Sequence, residues 1–226
     1  MMLRITIASA VLALAGCAGP HGHHRSHGED GPKGMGMKKG MDMKGKDMSF
    51  FITSVNPGKG ADLGGLAGAD AYCSALAQSA GVKGKTWKAY LSSTKENARD
   101  RIGKGPWMNA KGVVVATSVA DLHSDNNKLT KENSIDEKGM VINGRGDAPN
   151  RHDVMTASNA NGMLEGGTCN DWTTSGEGSI LVGHHDRVGG GAAPTSWNAA
   201  HPSRACGMEA LKATGGDGLF YCFAAD

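Results

Sequence analysis

The sequence predicts a mixed α+β fold with one main amphipathic helix, short strands and long loops. Only one segment has an extended helical periodicity, whereas several short runs are apolar or alternate in polarity. Glycine accounts for 35 of the 226 residues. Because glycine weakens the interior of helices and strands and favours turns, this content indicates short elements joined by many loops.

The main helix is predicted between Leu63 and Gly81. Its apolar residues recur at steps of three and four, which is the spacing of one helix face. These residues are Leu66, Ala69, Cys73, Leu76, Ala77 and Ala80. Cys73 therefore lies on the buried face of the helix, and Gly81 can end the helix through a left-handed residue.

The predicted strands are short and flank this helix in the sequence. They are Ser49–Val55, the segment TWKAYLSS, Val113–Val115, and the segments SILVG and GLFYCFA near the end. In TWKAYLSS, Trp87, Ala89 and Leu91 alternate with more polar residues, which is typical of a half-buried strand. A short helix is expected at Lys95–Ile102, and residues 117–153 are expected to be irregular.

The first residues have the pattern of a bacterial lipoprotein signal. Arg4 precedes a run of twelve residues without charge, Ile5 to Gly16, whereas about 20 are needed to span a bilayer. The run ends in Leu-Ala-Gly-Cys17, which resembles the lipobox, where the cysteine is lipidated and becomes the new N-terminus. Residues 1–16 are therefore expected to be cleaved, and Cys17 to anchor the chain in a membrane. By the same resemblance, Ala18 favours the outer membrane of a Gram-negative cell envelope.

Residues 17–48 are expected to form a disordered tether. From residue 21 onward the segment has no aromatic residue, Val, Ile or Leu, so it cannot bury enough apolar surface to fold. Its histidines are His21, His23, His24 and His27. Imidazole and thioether groups suit copper, nickel or zinc, but lysines between the methionines repel cations. Metal on the tether is therefore expected to be adventitious.

Residues 49–226 have the size and composition of one globular domain. They contain 17 lysines and arginines against 18 aspartates and glutamates. A nearly neutral body lacks the basic surface that nucleic-acid binding requires, so no nucleic acid is expected as a partner. Four cysteines remain in this exported body, which indicates two disulfides, although spacing alone does not select among the three possible pairings.

Four segments, in the same order as in a known family, resemble the C-type-lectin-like fold. They are LGGLAGADAYC, TWKAYLSS, VMTASNANGMLEGGTCNDW and GLFYCFA. The similarity is closest to the endostatin-like branch and to bacterial lectin-like lipoproteins. This resemblance implies that Cys73 pairs with Cys222 and that Cys169 pairs with Cys206. Such bridges stabilise a chain mainly by restricting its unfolded state.

The resemblance implies a binding or adhesion module with a carbohydrate, envelope-polymer or protein ligand. Sugar-binding relatives hold Ca²⁺ through Glu-Pro-Asn or Gln-Pro-Asp and Trp-Asn-Asp, which supply the oxygen ligands that Ca²⁺ needs. None of these triplets occurs in the body, and Trp197-Asn198 is followed by alanine. A calcium-independent module without a cofactor is therefore expected. The alternatives are a structural surface protein, a hydrolase or a metal-handling protein.

The glycine-rich segment between Cys169 and Cys206 is expected to have little core of its own. Ligand recognition is expected there, because loops held by a rigid scaffold commonly carry binding groups. The candidate residues are Asp171, His184, His185, Trp197 and Asn198. Trp197 is expected to be exposed, whereas the other three tryptophans are expected in the core. His184-His185-Asp186 suits zinc chemically, but no third ligand follows from spacing, so a surface turn is expected.

The body contains no Gly-x-Ser-x-Gly, no His-Glu-x-x-His and no phosphate-binding loop. If both disulfides form, it also contains no free thiol. The sequence therefore favours a protein that is not an enzyme.

Overall fold

The computed structural model describes residues 45–190 and 193–226. The expected signal peptide, Cys17 and the four tether histidines lie outside these residues. Met48, which the sequence analysis assigns to the tether, is fully buried in the core. None of the helices in residues 45–190 and 193–226 is long and apolar enough to cross a membrane.

The described body is a mixed fold of short strands and few helices. Its right-handed helices are α1 (Gly65–Ser79), α2 (Ala98–Arg101), α3 (Val119–Leu122) and α4 (Met208–Lys212), and Cys169–Trp172 forms one left-handed turn. Its strands are β1 (Phe50–Ile52), β2 (Trp87–Ala89), β3 (Trp107–Met108), β4 (Val114–Ala116), β5 (Asp153–Met155), β6 (Leu181–His184), β7 (His201–Pro202) and β8 (Gly216–Ala224). Long irregular segments separate these elements, as the glycine content predicts.

The main helix forms where the sequence predicts it, and its buried residues follow the predicted spacing. Ala69, Cys73 and Ala77 are its buried residues. The helix begins after Gly64, which has a φ of 75°, and Gly81 follows it with a φ of 85°. Because L-residues rarely adopt this backbone conformation, glycine suits both positions.

The nine-residue strand β8 organises the main sheet, whose order is β1-β8-β5-β6-β7, with β2 also paired to β8. β1 and β2 run antiparallel to β8, whereas β5 runs parallel to it. β3 and β4 form a separate two-stranded sheet. Because β8 is long and apolar, it can pair with strands from three distant parts of the chain.

Both faces of β8 are buried. Phe220 and Cys222 belong to the apolar cluster that contains α1, whereas Leu219, Tyr221 and Phe223 belong to a second cluster. This division follows the alternation of side chains along a strand. The expectation that TWKAYLSS is a half-buried strand is wrong beyond the end of β2, because Tyr90 and Ser92 are as fully buried as Leu91.

Two disulfides join distant segments, with the pairing that the resemblance implies. Cys73 on α1 bonds Cys222 on β8, and Cys169 bonds Cys206. The second bridge closes a segment that was expected to have little core of its own. That expectation is wrong, because the segment contributes β6 and β7 to the main sheet. Its buried apolar side chains are Trp172, Ile180, Val182, Trp197 and Ala200.

The chain makes an unusual turn at Cys169–Trp172, where four successive residues have φ between 49° and 68°. Left-handed backbone costs roughly 1–2 kcal/mol per L-residue, so other contacts must hold it. The disulfide fixes its first residue, and Trp172 Nε1 donates to the Ser92 carbonyl at 2.8 Å. Asp171 accepts from the Thr94 amide at 2.9 Å.

Candidate functional site

The pairing of β5 with β6, and of β6 with β7, places three polar side chains on one face of the sheet. Asp153 opens β5 and lies directly opposite His184 on β6. Directly opposite residues of antiparallel strands share a face. His201 on β7 lies opposite Val182, which is two residues from His184 and therefore on the same face.

His152 joins these residues from the position before β5. The register between β5 and β8 shifts at the start of β5, between Asp153 and Val154. The His152 ring stacks on His184, with ring centroids 4.2 Å apart and planes 14° apart. His152, Asp153, His184 and His201 are called the histidine cluster below.

Three imidazole nitrogens converge on one carboxylate oxygen. The Nε2 atoms of His152, His184 and His201 lie 3.1, 3.3 and 3.5 Å from Asp153 Oδ1. Asp153 is 2% exposed and His184 1% exposed. Nevertheless, both Asp153 carboxylate oxygens and His184 Nε2 have no hydrogen-bond partner among the described residues. The nitrogens are thus close to the carboxylate without being oriented to donate to it.

The other ring nitrogen of each histidine faces a backbone carbonyl. For His152, His184 and His201 the carbonyls are those of Val188, Pro194 and Pro202, at 3.1, 2.7 and 3.1 Å. Because a carbonyl only accepts, Nδ1 carries the proton that makes each bond. In the neutral rings the Nε2 lone pairs therefore face Asp153.

A second carboxylate, Asp186, lies beside the cluster. Burial alone would raise its pKa, but a hydrogen bond from His152 and backbone amides hold the pKa well below the usual range. The amides are those of Arg145 and Val188, at 2.6 and 3.1 Å. Asp186 therefore adds a second negative charge near the cluster.

His184 is the last residue of β6 and His185 follows it, but their electrostatic surroundings are opposite. Burial acts to lower the pKa of His184, but the Asp153 carboxylate and the Pro194 carbonyl outweigh it and raise the pKa. Burial lowers the pKa of His185 to about 4, which keeps that ring neutral. The surroundings of His184 thus favour positive charge, whereas those of His185 do not.

A cavity of about 300 Å³ opens next to the cluster. It is lined by Arg145, Asn150, His152, His184, His201 and Thr214, together with Gly190. Arg145 is exposed, and within the described ranges its guanidinium makes no hydrogen bond or ion pair. A Cβ at Gly215 would lie 2.9 Å from His152 Nε2, so glycine there lets the backbone approach the ring closely.

Among the predicted site residues, only His184 belongs to the histidine cluster. The surface turn expected at His184-His185-Asp186 is wrong, because all three residues are buried at the end of β6. His185 Nε2 lies 3.2 Å from the Asn143 carbonyl rather than in the cluster. Asp171 binds Thr94 and lines a different cavity.

The expected exposure of Trp197 is also wrong, since the residue is only 3% exposed. Its ring packs against those of Tyr90 and Tyr221, with ring centroids 4.8 and 5.2 Å apart. Asn198 donates to the Tyr90 hydroxyl at 3.0 Å. Both residues line a second cavity of about 200 Å³, where the Arg187 side chain already binds Leu129, Asn127 and Thr195. Trp197 and Asn198 therefore support the fold around that cavity.

The other cluster residues were missed by the sequence analysis. His152 and His184 are 32 positions apart, and His184 and His201 are 17 apart, which matches no short metal-binding pattern. The one local signal is a His-Asp pair directly before the apolar residues Val154 and Met155. Strand pairing, rather than sequence spacing, brings the four residues together.

Comparison with protein-family models found no model that matches the chain. Comparison with curated proteins likewise found no match. The function therefore has to be argued from the site.

Proposed function

We propose that the chain is a calcium-independent binding module of the bacterial cell envelope, with its ligand in the cavity beside the histidine cluster. In this proposal the body has the C-type-lectin-like fold, and Cys17 anchors it in the outer membrane. The observation that carries the proposal is the Arg145 guanidinium, which has no hydrogen-bond or ion-pair partner among residues 45–190 and 193–226, at a cavity lined by three imidazoles.

The chemistry of the lining favours an anionic ligand group. An arginine can bind a carboxylate or a phosphate through two parallel hydrogen bonds. Asn150 and Thr214 add side chains that can bind hydroxyl groups. A volume of about 300 Å³ is at the lower end of the range for small-molecule sites. The proposed ligand is therefore a glycan or envelope polymer that carries uronic acid or phosphate groups.

The scaffold around the cavity is suited to hold it open. His184 and His201 lie on paired strands of the segment that Cys169 and Cys206 close. Such a rigid framework reduces the ordering cost that a flexible loop would incur on binding. The described residues that line the cavity do not form a cluster of oxygen ligands of the kind that binds Ca²⁺. The proposed contacts use nitrogen donors instead.

The test measures binding of the mature lipoprotein, in detergent micelles, to immobilised glycans that carry uronic acids or phosphates. Calcium-free buffer is used first, and calcium is then added. We expect saturable binding that added calcium does not change, and that Arg145→Gln weakens by about tenfold or more. Arg204→Gln is the matched control, because Arg204 is exposed like Arg145 but lies outside this cavity.

Binding that requires calcium would contradict the proposal. Equal losses of glycan affinity in Arg145→Gln and Arg204→Gln would show that the cavity is not the glycan-binding site. The absence of binding to any of these glycans would favour a structural surface protein.

The anchor has a separate test. Mass spectrometry of the protein from membranes should show an acylated Cys17 and no residues 1–16. Cys17→Ser should move the protein from the membrane fraction to the soluble envelope fraction. An unmodified N-terminus elsewhere would disprove the lipid anchor without affecting the binding proposal.

A further inference from the structure

We infer that the histidine cluster is a binding site for one divalent transition-metal ion of the class that imidazole binds, such as Zn²⁺. The ligands in this inference are the Nε2 atoms of His152 and His184 and Oδ1 of Asp153, and Nε2 of His201 completes the set after a shift of its ring. The inference goes beyond the proposed function, because metal binding is measured without any glycan.

The distances in the cluster match those between ligands of a common metal ion. In a tetrahedral site with metal–ligand bonds of about 2.0–2.1 Å, adjacent ligand atoms are about 3.3–3.4 Å apart. The three nitrogen–oxygen distances of 3.1, 3.3 and 3.5 Å lie close to this value. Donor atoms of His152, Asp153 and His184 lie within 4.8 Å of one another, whereas His201 falls outside this group and must shift its ring to become a fourth ligand.

The orientation of each ring is that of a metal ligand. Metal-binding histidines almost always donate their other ring N–H to a carbonyl or carboxylate, which fixes the tautomer. All three histidines place Nδ1 against a backbone carbonyl. His152 Nδ1 also lies 3.4 Å from the Asp186 carboxylate. The lone pair of each Nε2 is thereby left for a cation.

The buried atoms of the cluster lack the partners that a purely structural role requires. Buried polar side chains are nearly always hydrogen-bonded, yet both oxygens of Asp153 and Nε2 of His184 have no such partner among the described residues. Neutral rings would direct their lone pairs at the carboxylate. A metal ion can accept lone pairs from His152, Asp153 and His184 at once.

The donor set identifies the class of metal. Three imidazoles and one carboxylate do not suit Ca²⁺ or Mg²⁺, which bind mainly oxygen ligands. Imidazole suits zinc, copper and nickel. His201 is the most exposed ligand and lines the cavity, so it marks the path by which the ion enters.

The test uses the mature chain, residues 17–226, with Cys17→Ser for solubility. His21, His23, His24 and His27 are replaced by alanine, so that the tether does not supply imidazoles. After equilibration with zinc and removal of the excess, we expect one zinc per chain by elemental analysis. Co²⁺ in place of Zn²⁺ should give the strong visible absorption of tetrahedral cobalt.

Ligand variants then locate the ion. His201→Gln should weaken zinc binding by at least about 100-fold, which exceeds the usual loss for a residue that only orients a ligand. His201 lies at the sheet edge and is partly exposed, so this variant should keep its fold, as circular dichroism can verify. Asp153→Asn should weaken zinc binding similarly. His123→Gln is the matched control and should leave the affinity unchanged.

The inference is overturned if the chain without tether histidines binds no Zn²⁺, Co²⁺, Ni²⁺ or Cu²⁺ stoichiometrically. It is also overturned if His201→Gln and Asp153→Asn bind zinc as tightly as His123→Gln. Either result leaves the glycan measurement unaffected, and a failure of glycan binding leaves the zinc measurement unaffected. The two proposals can therefore fail independently.

Discussion

Two aspartates of the body, Asp70 and Asp153, are both largely shielded from solvent but differ in how the chain satisfies them. Asp70 on α1 accepts hydrogen bonds from the Arg101 guanidinium at 2.6 Å and from Lys88 and the Ala89 amide at 2.9 Å. Asp153 has three imidazole nitrogens nearby but no hydrogen bond from any residue that the structure describes. Thus the described part of the chain supplies hydrogen-bond donors to the first carboxylate but not to the second.

The difference separates a structural carboxylate from one available to an external cation. Five buried side-chain atoms lack partners within the described residues, and four of them belong to Asp153, His184 and His185. The unsatisfied groups are therefore concentrated at one end of the β5–β6 pair. At its other end, Met155 lies opposite Val182 in the apolar core. One sheet face thus combines a packed core with a cation-attracting site.

The largest expected effect is the loss of the Asp70 charge. Asp70→Asn should lower the free energy of unfolding by about 2–3 kcal/mol, because hydrogen bonds to charged groups contribute roughly that much. The Arg101 side chain is only 3% exposed, so its charge cannot regain full hydration. Urea unfolding followed by circular dichroism measures the change. If Asp70→Asn lowered the free energy of unfolding by less than an ordinary surface substitution does, Asp70 would not be a structural carboxylate in contrast to Asp153.

The same substitution at Asp153 should act in the opposite direction in metal-free protein. At alkaline pH, where the imidazoles are neutral, Asp153→Asn should raise the free energy of unfolding or change it by less than about 1 kcal/mol. The new amide can donate to an Nε2 lone pair that Asp153 only faces. The same urea titration, repeated with zinc, should show that zinc stabilises the original chain much more than the variant. A large loss of stability without zinc would show that Asp153 is structural.

Much of the fold could be predicted from local patterns. The helix α1 has a clear apolar period, and the segment of β8 is strongly apolar, so both are identified nearly in place. β7 has two residues and forms only through pairing with β6, which no local pattern reveals. The left-handed turn at Cys169–Trp172 likewise depends on contacts with Ser92 and Thr94.

The site was less predictable because its residues meet only through sheet register. His184 was a candidate on chemical grounds, but His152 and His201 come from segments whose pairing the sequence does not show. Trp197 was expected to be exposed because its neighbours are small or polar. It is buried because Tyr90 and Tyr221, which are distant in sequence, pack against it. Local composition therefore pointed to a segment that holds two of the four cluster residues, His184 and His201, but it did not reveal their contacts.

A smaller effect is expected from His123, which is satisfied in its neutral form. Its Nδ1 lies 2.7 Å from the Val119 carbonyl, and its Nε2 lies 2.7 Å from the Tyr90 hydroxyl. Burial lowers its pKa below the usual 6.5. The unfolded chain therefore binds more protons just below this pH, and stability from His123 is lost as the pH falls through that window.

His123→Gln should reduce this pH dependence while preserving much of the packing. The measurement compares urea unfolding of both proteins at several pH values from neutral to mildly acidic. The difference between the two curves isolates His123 from the histidines of the cluster, which are the same in both proteins. A constant difference across this range would mean that burial does not shift the His123 equilibrium.

The smallest effect is expected at Glu96, the second partner of Arg101. Glu96 accepts from Arg101 Nη1 at 2.6 Å, but its side chain is 48% exposed. Water can replace an exposed partner, and such ion pairs contribute roughly 0–1 kcal/mol. Glu96→Gln should therefore lower the free energy of unfolding by less than about 1 kcal/mol, compared with the larger loss for Asp70→Asn. Urea unfolding of the two single variants and the double variant tests this order. If Glu96→Gln cost as much as Asp70→Asn, the exposed carboxylate would hold Arg101 as firmly as the sheltered one. Burial would then not be what makes Asp70 structural.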